Sequence, residues 1–170
     1  MMEYKFFIPC PKSLPELKRM YHSLALKHHP DHGGDEASMK IINNEYTHLF
    51  SFLKNRQENM EGEVYTSKEE NEETPEQFIR IVQALINCDG LRLELCGSWL
   101  WASGNTMPYK ERLKELSFFW CRGKKVWGFN FLPPKKKAHS FRWSMGQIRE
   151  KFGSRELKLP TSKQLSGVEE

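Results

Sequence analysis

The chain has little cysteine and no long apolar run, and each shortage removes a class of function. Four cysteines in 170 residues, at positions 10, 88, 96 and 121, contain no Cys-x-x-Cys pair. That spacing fits neither a disulfide framework nor a zinc site, so buried, unpaired thiols are expected. No apolar stretch reaches the roughly 18 residues that a bilayer crossing needs, so no membrane partner is expected. Near the start, Phe6-Phe7-Ile8 is interrupted by Pro9 and Pro11, too early for the core of a secretion signal. A cytoplasmic location follows as the expectation. Also missing is any nucleophile set beside a base, so no catalytic function is expected.

What is present supports a folded protein. Hydrophobic residues make up 38% and aromatics 12%, enough for a real core. The formal net charge of +4 conceals a polarity along the chain. Residues 57–76 carry eight glutamates against Lys68, whereas residues 91–159 carry fifteen lysines and arginines against five glutamates. Two units joined by an acidic connector are the simplest reading.

The first unit centres on His28-His29-Pro30-Asp31-His32-Gly33-Gly34-Asp35. Before it, Leu14, Leu17, Tyr21, Leu24 and His28 recur at helical spacing, and after it Met39, Ile42, Tyr46, Leu49 and Leu53 do the same. Ser13 with Glu16 predicts the start of the first helix, and Pro30 disfavours helical backbone at His29. Asp35 stands where the N-cap of the second helix belongs. Two helices packed through their apolar stripes would present His29-Pro30-Asp31 at their tip. A histidine–aspartate acid–base pair is discounted there, because a helix–helix turn offers no pocket that excludes water. Metal binding by His28, His29, Asp31 and His32 is discounted too, since Pro30 splays its neighbours. A stiff, exposed recognition loop remains. Lys18, Arg19, His22 and Lys27 lie off the apolar stripe and suit an acidic partner surface.

After this unit the periodicity fails from Arg56 to Glu73, which predicts a flexible linker. A helix with apolar Phe78, Ile81, Val82, Leu85 and Ile86 opens at Thr74-Pro75-Glu76-Gln77 and is expected to stop at Gly90. Alternation of Leu91, Leu93 and Leu95 predicts a strand, turned at Gly97-Ser98 into Trp99-Leu100-Trp101-Ala102. A short helix from Thr106 turns Leu113 and Leu116 inward. Phe118–Cys121 and Val126–Phe131 predict a hairpin around Arg122-Gly123-Lys124-Lys125. A basic loop with Lys135, Lys136 and Lys137 leads to a last helix capped by Ser144 and ended near Gly153. The tail from Pro160 is expected to be disordered.

The run from Glu16 to Asp31, with Met39, Ile42, Asn43, Tyr46 and Leu49 after it, resembles helices II and III and the HPD loop of the DnaJ co-chaperones, the J-domain family. The resemblance spans about residues 4–55. It implies that His29, Pro30 and Asp31 contact a DnaK-type chaperone and trigger that partner's ATP hydrolysis, with Lys18, Arg19, His22 and Lys27 as the docking face. The chain would then be an activator and not an enzyme. A basic helix IV, a Gly/Phe-rich segment and a cysteine-rich zinc domain have no counterpart here. The Gly33-Gly34-Asp35 ending also occurs in the J-domains of polyomavirus tumour antigens, whose zinc-binding cysteine clusters are likewise missing. The stretch from Gly97 to Trp127 looks like a small domain found behind J-domains in bacterial and mobile-element proteins.

The expected class is therefore α+β: a helical J-domain (residues 1–56), an acidic linker (57–73), a small basic domain of antiparallel sheet with flanking helices (74–155) and a tail (156–170). The second domain would target the chaperone to an unidentified client protein, with no metal or cofactor required. An alternative is a nucleic-acid-binding accessory protein that uses the basic, aromatic second half, with Lys124, Lys125, Lys135, Lys136 and Lys137 as its surface.

Overall fold

Ser13 starts the first helix for a physical reason. Its Oγ accepts the Glu16 N–H at 3.3 Å, and Pro15 occupies a first-turn position that needs no backbone donor. The computed structural model of the chain describes residues 4–58, 61, 63–66, 73–132 and 143–157. Helix α1 runs Leu14–His28, and helix α2, Glu36–Leu53, begins where Asp35 accepts the Ala37 and Ser38 N–H groups at 3.2 and 3.0 Å. The lead-in lies across this pair. The N–H groups of Lys5 and Phe6 donate to Glu45 at 2.7 and 3.0 Å, and Phe7 is fully buried.

Beyond α2 the chain departs from the expected linker. Strands β1 (Arg56–Glu58) and β2 (Val64–Thr66) pair antiparallel, with Gln57 opposite Tyr65. Val64, Tyr65 and Thr66 are β-formers too few to register as a period among the surrounding glutamates. Helix α3 (Pro75–Leu85) opens as expected, Gln77 Oε1 accepting the Thr74 N–H at 3.4 Å. It ends at Leu85 rather than at Gly90. Gly90 instead turns the chain into the sheet, at φ +75°.

Strands β3 (Leu91–Cys96), β4 (Trp99–Gly104), β5 (Phe119–Cys121), β6 (Val126–Asn130) and β7 (Arg155–Leu157) form one antiparallel sheet in the order β5-β6-β4-β3-β7. Strand β7 takes up the first two residues of the expected tail (156–170), because Leu157 is buried opposite Leu93 on the sheet edge. Period-two alternation gives the sheet two different faces. On one, Leu93 lies opposite Ala102, Leu95 opposite Leu100, and Leu100 opposite Phe129. This face is buried together with α1, α2, α3 and Leu113 of α4 (Lys110–Glu115). The other carries Cys96, Trp101 and Cys121 beneath Ile148 of α5 (Met145–Phe152). A clamp holds α5 there. The Arg149 guanidinium donates to both oxygens of Glu94 at 2.5 and 2.7 Å, and the Ser154 hydroxyl donates to the same carboxylate.

Phe78 on α3 explains why the helix pair and the sheet share one hydrophobic cluster. Its ring lies 6.0 Å from each of Tyr21, Tyr46 and Phe131, and Tyr21 and Tyr46 are themselves 4.5 Å apart. Residues from α1, α2, α3 and the end of β6 thus meet at one aromatic centre. Cys88, Cys96 and Cys121 are buried free thiols; Cys10, expected with them, is exposed.

Candidate functional site

The helix tip is built by three backbone devices. His29 is extended (φ −67°, ψ 135°), which breaks α1 as the following proline requires. Pro30–His32 then forms one 3-10 turn, with the Gly33 N–H donating to the Pro30 carbonyl at 3.0 Å. Gly33 takes φ +80°, and Gly34 passes so close to α1 that an added Cβ would stand 2.1 Å from the His28 carbonyl carbon. No side chain fits at Gly34 without moving the tip.

Within this frame the Asp31 N–H donates to His29 Nδ1 at 3.2 Å. A neutral His29 ring therefore carries its proton on Nε2. The Asp31 carboxylate lies 3.6 Å from His29 Nδ1, with 59% of the Asp31 side chain exposed but only 16% of the His29 side chain. Pro30 and Asp31 face solvent as expected; His29 is half-buried, its ring 6.1 Å from that of His32. One further contact had no signal in the sequence. Asn87, just after α3, donates its side-chain N–H to Asp31 Oδ2 at 2.7 Å. The Asp31 carboxylate is thus held by the second half of the chain.

Two residues expected on a cationic docking face are not on the surface. Lys18 is 1% exposed and His22 3% exposed. Helix α1 is enclosed on more than its apolar stripe, because Leu14, Lys18 and His22 follow one another four residues apart and end up covered as well. Lys18 Nζ meets Glu73 at 2.5 Å and stands 3.7 Å from the centroid of the Phe131 ring. Burial lowers its pKa and Glu73 opposes that shift, so the ammonium is matched by a charge of its own chain. For His22, burial lowers the pKa to about 4, and its Nε2 has no hydrogen-bond partner among the described residues. The ring is neutral at physiological pH. Of the expected cations, Lys27 is exposed and Arg19 half-buried.

In the second half, Lys124 and Lys125 lie in the turn between β5 and β6, Lys125 exposed and in the left-handed region at φ +54°. Lys135, Lys136 and Lys137, and residues 158–170 of the expected tail, lie outside the described residues. Among the described residues no group of three histidines, cysteines or carboxylates is placed to hold a metal ion, and no helix is long and apolar enough to cross a membrane. Comparison with protein-family models, curated proteins and solved structures finds no match to this chain. The tip must be interpreted on its own geometry.

Proposed function

We infer that the chain is a J-domain co-chaperone, an activator of ATP hydrolysis by a DnaK-type chaperone. The observation that carries this reading is the tip: an exposed carboxylate, a proline-stiffened turn and a histidine donor held between two packed helices by Gly34. A rigid tip loses little entropy on docking, and Asp31 supplies a charged acceptor for an arginine or for backbone donors. Such a surface changes a partner by binding one of its conformations better than another. The hydrolysis is the partner's. The resemblance of residues 4–55 to the family supports the same role.

With Lys18 and His22 buried, the electrostatic contribution falls to Lys27 and Arg19, and the tip bears more of the affinity. The sheet half would direct the chaperone to a client protein, from a cytoplasmic location. Binding of the full chain to a DnaK-type chaperone tests the reading. Asp31→Asn should weaken binding about tenfold or more and Lys27→Ala a few-fold, because a charge-assisted hydrogen bond exceeds an exposed charge in value. Equal binding by both variants and the wild type would remove the tip from the mechanism.

A further inference from the structure

The sheet face under α5 carries a feature that the tip does not use. Trp99 and Trp101, two residues apart on β4, project from the same face with their rings stacked 5.0 Å apart at 7°. Phe119 on β5 stands edge-on to Trp99 at 5.8 Å. Trp143 and Phe152, before and at the end of α5, face each other at 6.1 Å. Between these rings is a cleft of about 60 Å³, open to solvent, with Lys124 at its wall and no carboxylate among the described residues that line it.

A sheet–helix interface of this kind is normally filled. Here five aromatic rings line a space instead. Gly128 makes the arrangement possible, since a Cβ at that position would stand 2.7 Å from a carbon of the Trp101 ring. Trp101 is only 4% exposed, and its indole N–H has no acceptor among the described residues. A buried donor left unpaired is unfavourable, and a ligand acceptor would relieve it. The surroundings are cationic: Arg122 and Lys125 share the turn with Lys124, and Lys151 Nζ lies 4.3 Å over the Trp143 ring.

The ligand that uses all of these groups has a flat π face, carbonyl acceptors and an attached anion. A methylated ammonium would be repelled by Lys124, and a purely apolar ligand would leave both Lys124 and the indole N–H unsatisfied. The geometry points to a site for an unpaired base of single-stranded nucleic acid, stacked among Trp99, Phe119, Trp143 and Phe152 with its phosphate at Lys124. Duplex bases are already stacked and paired, so they cannot enter. None of the tip residues takes part, so this site stands or falls separately from the co-chaperone reading.

The full chain titrated into a fluorescent homothymidine oligonucleotide tests the assignment, with tryptophan quenching as a second readout. Saturable binding is expected that weakens with salt, is not competed by a duplex of the same length, and exceeds that of free thymidine monophosphate. Phe119→Ala should weaken it about tenfold, the value of one lost stacking contact. Lys124→Ala should reduce the slope of affinity against salt by about one phosphate's worth. Lys124 is in a turn, so that variant remains informative if Phe119→Ala fails to fold. No binding at low salt, equal competition by duplex, wild-type binding by both variants, or a preference for an acidic aromatic peptide over the oligonucleotide would overturn it.

Discussion

Removing the Lys18 ammonium while leaving the Glu73 carboxylate tests how the helix pair is tied to the sheet. The two side chains are 1% and 2% exposed and 2.5 Å apart. Phe131, from the end of β6, closes over the ammonium. Lys18→Met keeps the apolar stem but breaks the buried Lys18–Glu73 ion pair by removing one partner, which costs about 3–5 kcal/mol. For a chain of this length about 1 kcal/mol moves Tm by roughly 2–4 °C, so the melting point should fall by roughly 6–20 °C. Lys18→Met combined with Glu73→Gln removes both charges and should recover most of the loss, because a buried pair replaced as a unit is nearly neutral. Urea unfolding of the two single variants and the double variant measures the coupling directly.

The same experiment tests whether the shared core unfolds as one. All five tryptophans lie between Trp99 and Trp143, so their fluorescence reports the sheet, whereas far-ultraviolet circular dichroism is dominated by the helices. The two transitions should coincide. A single-variant cost below about 1 kcal/mol, or a double variant as unstable as the sum of the singles, would refute the reasoning.

Other outcomes follow from particular residues. His22 is neutral in the fold and protonates more readily once exposed, so the unfolded state binds more protons between pH 6.5 and about 4. Stability should therefore fall as pH drops through that window, by up to about 3 kcal/mol, and His22→Leu should flatten the profile measured by urea melts. Asn87→Ala releases Asp31 from its hydrogen bond to the second half of the chain and should raise affinity for a DnaK-type chaperone a few-fold in a binding titration; unchanged affinity would make the contact incidental. Gly128→Ala drives a methyl into the Trp101 ring and should cost about 1–3 kcal/mol with a shifted tryptophan emission.

Local features were legible in the sequence because local physics produces them. Ser13, Asp35 and Ser144 sit at helix starts because only such side chains accept the orphaned N–H groups there. Leu91, Leu93 and Leu95 show a strand because alternate residues share a face. Long-range pairs leave no such trace. Glu73 is one of eight acids in its stretch, and nothing local distinguishes it as the one buried on Lys18. The chemistry of Lys18 and His22 predicts a surface position, whereas their places four and eight residues after Leu14 let tertiary packing cover them. Asn87 follows a helix like any other polar residue, and only the fold brings it to Asp31. The aromatic content of the second half was visible, but its division between a filled face and an open cleft depends on the strand order.

The most direct test of the central claim is single-turnover ATP hydrolysis by a DnaK-type chaperone, with the wild-type chain and with His29→Gln. That change removes the ring that accepts the Asp31 N–H and leaves the Gly34 packing untouched. Stimulation by the wild type that His29→Gln loses, with both proteins melting alike, is the expected result. A folded wild type that stimulates none of several such chaperones would contradict the account.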